Sequence, residues 1–258
     1  MLIKNIVIKL ILTILISSTS FTGLTRNLNV GWELWFPYQY RNKSQELIGL
    51  DIEIFKAVIT KAGLTANYVE LPWKRHLRYI ESGDIDLAFG ASYTLEREKY
   101  AYFSLPYRLE IVKLFIRKGD KPKLNKLSDI VENDFLLGIE TGYYYGDAFK
   151  KLMQSPEFKQ HTNEVLDVEQ NISMLLKGRI NGLLADPNTI AAFCEKYKIS
   201  GTLELYPLDI YQANIYMMLS RKTLNTDILA KINNSIKSLK KDGTLTAISK
   251  KWNILAFK

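Results

Sequence analysis

Apolar positions along the chain fall into alternating strand and helix rhythms. Asn29 to Trp32 begins an apolar strand that runs into Trp35-Phe36-Pro37-Tyr38, where Pro37 ends regular pairing because it has no N–H to donate. After Gly49, the residues Ile52, Phe55, Val58, Ile59 and Ala62 share one face of a predicted helix, and Gly63 closes it. Tyr68 to Leu71 reads as a short strand. Pro72 opens a second helix that runs to about Glu81 and stops at Gly83. Ile85 to Phe89 is an apolar strand. This alternation predicts an α/β unit with a largely parallel sheet.

A second α/β unit follows. Ile111 to Ile116 and Leu136 to Ile139 read as strands, and the segment after Gly142 reads as a helix start. Ile172 to Leu176 is helical with Gly178 near its end, Leu183 to Ala185 is a short buried strand, and Ile190 to Tyr197 is a helix. Ile215 to Leu219 is strand-like, and Ile228, Ile232, Ile236 and Leu239 form a helical stripe ended by Gly243. No Pro/Gly/Ser-rich linker separates the units, which suits lobes joined by short crossing strands.

Composition narrows the function classes. Hydrophobic residues make up 47% and charged residues 24%, which excludes a disordered tail or a polytopic membrane protein. The formal charge of +8 is spread along the chain, and Lys240-Lys241 and Lys250-Lys251 read as solvated helix faces. A nucleic-acid binder would concentrate its basic residues, so no nucleic-acid partner is expected. Cys194 is the one cysteine, and His76 and His161 lie far apart, so no disulfide, metal site or cofactor is expected.

Residues 1–20 carry Lys4 and Lys9, then an apolar run from Leu10 to Ile16 broken by Thr13, then Ser17-Ser18-Thr19-Ser20. That is the layout of a cleavable secretory signal peptide. The run is shorter than the ~20 residues of a membrane span, and an uncleaved anchor helix is the alternative. Export to the periplasm is expected.

Several stretches, in order, resemble the extracytoplasmic solute-binding proteins of family 3, the polar amino-acid receptors of ATP-driven uptake systems. They are Phe36-Pro37-Tyr38, Gly49-Leu50-Asp51-Ile52-Glu53-Ile54-Phe55, Gly83-Asp84-Ile85-Asp86-Leu87 and Thr94-Leu95-Glu96-Arg97. Phe103-Ser104-Leu105-Pro106-Tyr107, Leu127-Ser128-Asp129-Ile130, Gly178-Arg179-Ile180-Asn181 and Lys241-Asp242-Gly243-Thr244-Leu245 with Lys251-Trp252 follow. The resemblance implies an α/β, two-lobed periplasmic-binding fold of type II, each lobe a mainly parallel sheet flanked by helices, with a two-strand hinge. It places lobe one at 24–110 plus 212–258 and lobe two at 111–211. It also implies a monomer that binds an amino acid or related zwitterion in the interlobe cleft and delivers it to a membrane permease of an ABC transporter.

The same resemblance suggests ligand-binding residues. Arg97 matches the carboxylate-binding arginine of Thr-x-x-Arg, and a planar guanidinium suits a carboxylate because it donates two parallel hydrogen bonds; otherwise it is a surface arginine at a helix start. Ser92 and the Gly90 backbone match ligand donors. Thr94 contacts the ligand or caps the helix. Asp186 matches the acceptor for the α-ammonium, or else it opens the Pro187 helix. Glu33 lies where the family often has another acidic contact. Trp35 and Trp73 resemble the cleft wall, with core packing as the alternative. Arg75 adds a second cation to the cleft or is solvated.

One stretch departs from the pattern. Gly142-Tyr143-Tyr144-Tyr145-Gly146 stands where family members place small hydroxyl residues at a helix N-terminus, so Tyr143 and Tyr144 are expected at the ligand and one or two of the tyrosines in structural roles. A few proteins of this fold are cyclohexadienyl dehydratases, and others are ligand sensors. Nothing beside Asp186 supplies the second acid that dehydration needs, so a non-catalytic receptor is the expectation.

Overall fold

The computed structural model describes residues 26–252. The proposed signal segment 1–20 lies outside the described residues. The elements are β1 (Asn27–Trp32), β2 (Tyr40–Arg41), β3 (Leu47–Ile48), α1 (Leu50–Lys61), β4 (Thr65–Glu70), α2 (Trp73–Ser82), β5 (Leu87–Ser92), α3 (Leu95–Glu98), β6 (Ala101–Phe103) and β7 (Arg108–Arg117). Then come β8 (Leu137–Glu140), α4 (Asp147–Leu152), α5 (Pro156–Gln160), β9 (Thr162–Val165), α6 (Val168–Leu176), β10 (Gly182–Ala185), α7 (Pro187–Lys196), β11 (Leu203–Ser220), α8 (Thr226–Lys241) and α9 (Thr244–Lys251).

The main sheet runs β4-β1-β5-β11-β7-β10-β8-β9, with β6 paired to the end of β11. Its two ends are parallel: β4-β1-β5 on one side and β10-β8-β9 on the other. Its middle is antiparallel, where β7 pairs along β11 from Leu203↔Arg117 to Ile215↔Arg108. This is the two-strand hinge of a two-lobed α/β fold. β11 is 18 residues long, far beyond the expected Ile215 to Leu219. Pro207 lies where its register against β7 shifts, between Tyr206 and Asp209, and much of its first half is partly exposed. Both features hide a strand from a search for continuous apolar runs.

Buried apolar residues form separate clusters on the two sides of the hinge. Leu28, Ile52, Phe55, Phe89, Met217, Ile232 and Leu245 belong to one that joins β1, α1, β5, the end of β11, α8 and α9. Leu71, Trp73, Ile80 and Met218 form a second on the other face of that sheet. Clusters around Val112, Leu137 and Phe149, and around Ile172, Leu183 and Phe193, flank the β10-β8-β9 half.

Two features pin the hinge to the first half. Gly49 sits at φ 133°, and a Cβ there would lie 2.1 Å from the Tyr38 carbonyl oxygen, so only glycine admits this approach to α1. The turn it allows sets Asp51 against Arg108, the first residue of β7. Arg108 Nε donates to Asp51 Oδ1 at 2.7 Å and Nη2 to Oδ2 at 3.0 Å, with both side chains buried. The guanidinium also lies over Tyr38, 4.0 Å from the ring centroid, and over Trp35 at 4.6 Å.

The helix expected directly after Gly142 begins later, at Asp147, with Gly146 as its N-cap. Tyr143 to Tyr145 form the preceding turn, where Tyr143 N–H donates to the Glu140 carbonyl. The tyrosines therefore carry no N–H groups of the helix's first turn.

Candidate functional site

Glu33, Trp73, Gly90, Ser92, Arg97, Glu110, Tyr143 and Tyr144 line one small cavity. Its walls come from the ends of β1 and β5, the start of α2, the one-turn helix α3, the hinge strand β7 and the turn after β8. Seven of the eight were expected from the sequence, and Glu110 was not. The enclosed space is about 10 Å³, smaller than any amino acid.

Arg97 is 6% exposed. Its Nη1 donates to the Ser92 carbonyl at 2.8 Å and its Nη2 to the Gly142 carbonyl at 3.0 Å, and the guanidinium lies 5.5 Å from the Trp73 ring centroid. α3 holds it there, because Thr94 Oγ1 accepts from the Arg97 N–H at 3.1 Å and caps the helix. The capping alternative for Thr94 is thus present in the structure.

Glu33 is buried at the end of β1. Its carboxyl accepts from the Trp73 N–H at 2.8 Å and from the Tyr143 hydroxyl at 2.7 Å. The Tyr143 ring stands edge-on to Trp35, centroids 6.1 Å apart, and 6.3 Å from Trp73. Tyr143 therefore plugs the cleft, while its neighbours serve other ends. Tyr144 donates to Asp147 at 2.6 Å, and Tyr145 accepts from the Glu140 N–H at 2.8 Å within the core of the second half.

The remaining expected residues stand outside this lining. Trp35 is buried behind the cavity and donates from Nε1 to Thr189 Oγ1 at 3.1 Å. It also crowds Gly90, where a Cβ would lie 3.0 Å from Trp35 Cζ3, and the Gly90 N–H is already taken by the Tyr107 hydroxyl at 2.8 Å. Arg75 is exposed on α2. Asp186 caps α7, and its Oδ1 accepts from the N–H groups of Asn188 at 2.8 Å and Thr189 at 3.4 Å and from the Tyr38 hydroxyl at 2.9 Å.

The hydrogen bonds of Tyr143 with Glu33, Arg97 with Gly142, Trp35 with Thr189 and Tyr38 with Asp186 all join the two halves. Lys150 with Glu96 adds an exposed pair at 2.9 Å. Polar contacts thus hold the two halves together across the cleft.

The cleft collects acids. Burial raises Glu33 to about 8, against the lowering pull of its Tyr143 and Trp73 hydrogen bonds. Burial raises Glu110 to about 7, with Arg108 pulling it down and Asp186 and Asp51 pushing it up. Glu140, buried and repelled by Glu33, Asp167 and Glu110, rises well above the carboxylate range. Burial also raises Asp186. Among the described residues no group of three or more His, Cys, Asp or Glu could hold a metal ion.

These shifts fix a pH dependence of stability. In the folded chain Glu33, Glu110 and Glu140 keep protons that the unfolded chain loses near the ordinary carboxylate value. Stability therefore falls as pH rises, by about 1.4 kcal/mol per unit for each such group. His76 opposes this at low pH, since burial lowers it to about 4 and only the unfolded chain then takes up its proton below 6.5. Between pH 6.5 and 8 the acids act alone. Urea unfolding of the ligand-free protein at pH 6.5, 7.2 and 8 should give steadily falling stability, and a rise across that window would contradict the buried-acid assignment.

The sequence pattern of the bacterial extracellular solute-binding proteins, family 3, matches residues 28–254. An L-cystine-binding protein of Escherichia coli (strain K12), TcyJ, is 24% identical over 217 residues, covering 84% of this chain and 78% of its own. ABC transporter arginine-binding protein 1 of the same organism is 25% identical over 250 residues, covering 95% of this chain and 98% of its own. An ABC uptake transporter substrate-binding protein from Streptococcus pneumoniae, solved with bound histidine, superposes with a TM-score of 0.76 at 24% identity, over 90% of this chain and 95% of its own. That likeness shows the fold, the type II periplasmic-binding arrangement of two lobes about a hinge.

Proposed function

Because the chain belongs to the bacterial extracellular solute-binding proteins of family 3, we propose that it is an exported, non-catalytic receptor that binds a free amino acid in the cleft and delivers it to an ABC transporter permease. Residues 1–20 serve as its export signal. The lobes are 24–110 with 212–258, and 111–211.

One observation carries this reading. A buried arginine, Arg97, whose fork is held only by the Ser92 and Gly142 carbonyls, shares a cavity with the buried carboxyls of Glu33 and Glu110. An α-amino acid needs both signs of charge in one water-excluded space, since an unpaired buried charge is very costly. Arg97 and Ser92 anchor the ligand carboxylate, which replaces the Gly142 carbonyl as acceptor. Trp73 stacks under the guanidinium and keeps it planar to the ligand. Glu33 takes a donor group of the ligand side chain in place of the Tyr143 hydroxyl. Two relatives are named for binding L-cystine and arginine, amino acids whose far ends carry nitrogen donors.

Closure follows from differential contacts. A ligand that satisfies Arg97 and the acids in the closed arrangement shifts the population toward it. The test is a thermal-shift screen of protein stripped of ligand by unfolding and refolding, against the twenty L-amino acids, cystine, polyamines and small dicarboxylates. A ligand that binds only the native state raises the melting temperature. A rise with one class of L-amino acid is the expected result. A rise only with dicarboxylates would overturn the reading, because Arg97 answers one carboxylate and the second would be buried without a partner.

A further inference from the structure

The residue that the sequence did not single out, Glu110, has the least satisfied carboxyl in the cleft. It is 6% exposed and lines the cavity, and among the described residues nothing donates a hydrogen bond to its carboxyl; Arg108 and Arg97 act on it only through their charge, without a direct ion pair. Its position explains the orientation. Along β7, buried residues alternate, with Arg108, Glu110, Val112 and Leu114 on one face. Arg108 faces α1 in the first half, and Val112 enters the core of the second half. Glu110 lies between them, where the hinge crosses under the cleft, and so aims at the floor of the site.

Asp186, which the family resemblance makes the ammonium acceptor, already has Oδ1 engaged. One of its oxygens accepts three hydrogen bonds, two from the first turn of α7 and one from Tyr38, and it does not line the cavity. Tyr38 in turn accepts from Asn188 Nδ2 at 3.1 Å, which closes a local network.

We propose that Glu110 is the acceptor for the ligand's ammonium group, and that Asp186 is a cap and lobe tie. The inference rests on the amino-acid receptor reading for its choice of ligand. A buried carboxyl without a partner is costly to keep unless a ligand completes it. An ammonium presents three donors to one charged acceptor, the strong kind of hydrogen bond. Glu110 also sits beside Arg97 closely enough for their charges to interact, as required if the ammonium and carboxylate of one ligand are held side by side. Its raised pKa, about 7, agrees with a group that gains its natural partner only on binding.

The test is calorimetric titration of wild-type, Glu110→Gln and Asp186→Asn protein with matched probes. L-arginine, L-histidine and L-cystine are each compared with the analogue lacking the α-amino group and, for the first two, with agmatine and histamine, which lack the carboxylate. Loss of the α-amino group should weaken wild-type binding by about 10- to 150-fold, the range of a hydrogen bond to a charged group. Glu110→Gln should weaken the amino acid by a similar factor and no longer distinguish it from its des-amino analogue. Asp186→Asn should keep that distinction, and Glu110→Gln should leave the ligand-free melting temperature unchanged or higher.

If Glu110→Gln keeps the distinction and Asp186→Asn loses it, the inference is wrong and the receptor reading stands. If only the amines bind, and Glu110→Gln abolishes their binding, the amino-acid reading fails while Glu110 remains the ammonium acceptor. If no probe binds the wild type, both fall.

Discussion

Asp51→Ala lowers the unfolding free energy by about 3–5 kcal/mol, because it strands a buried guanidinium. Arg108 and Asp51 are both fully buried and joined by two hydrogen bonds, at 2.7 and 3.0 Å. Removing the carboxylate leaves an uncompensated charge under the Tyr38 and Trp35 rings, whose cation–π attraction is too small to replace it. Set against the 5–15 kcal/mol of a typical domain, the loss is large. The double variant Asp51→Leu with Arg108→Met should be less damaging than Asp51→Ala alone, since a packed apolar pair of similar volume is often neutral. Urea unfolding of the ligand-free protein measures both. A loss below about 1 kcal/mol in Asp51→Ala would mean that water reaches Arg108 and that the hinge is not tied to α1 in this way.

Arg97→Ala should weaken amino-acid binding by at least about 100-fold, because the ligand carboxylate then enters a buried site with no cation. The cost to the fold should be smaller. Arg97 donates to two carbonyls, at Ser92 and Gly142, and both lie at the cleft, where water can replace the guanidinium once it is gone. Arg97→Lys separates charge from geometry. It keeps the positive charge and loses the fork, so it should recover only part of the affinity. Agmatine, which has no carboxylate, should bind the wild type and Arg97→Ala alike. Equal affinity of an L-amino acid for wild type and Arg97→Ala would remove the anchor from the account.

Much of this was readable from residues in order. The helix stripe Ile52, Phe55, Val58 and Ile59 gave α1, and Gly49 and Gly63 bounded it, because both ends depend on local backbone freedom. Pro72 and Gly83 bounded α2 to within a residue or so. Arg97 was legible because Thr-x-x-Arg is a local pattern that couples a cap to a cation, and the structure shows that coupling. Three features were hidden for the same reason: they depend on what lies across the chain. Glu110 escapes a reading that starts the strand at Ile111, three residues after its first residue Arg108, although Arg-x-Glu-x-Val is the alternation of a strand with a charged inner face. β11 was missed over most of its length because Pro207 and its half-exposed positions break the apolar run. The role of Tyr143 was undetermined because only the fold brings it to Glu33, 110 residues away in sequence. Asp186 shows the converse: its family pattern and its cap of the Pro187 helix were legible, but its bond with Tyr38, 148 residues away, is not revealed by sequence spacing.

Crystals of the protein grown with an equimolar mixture of the L-amino acids would reveal what the cleft selects. One amino acid is expected in the cleft, its carboxylate on the Arg97 fork, its ammonium on Glu110, and Tyr143 moved off Glu33. An amino acid bound outside the residues that line this cavity, or a cleft that stays closed over Tyr143 in crystals saturated with the mixture, would contradict it.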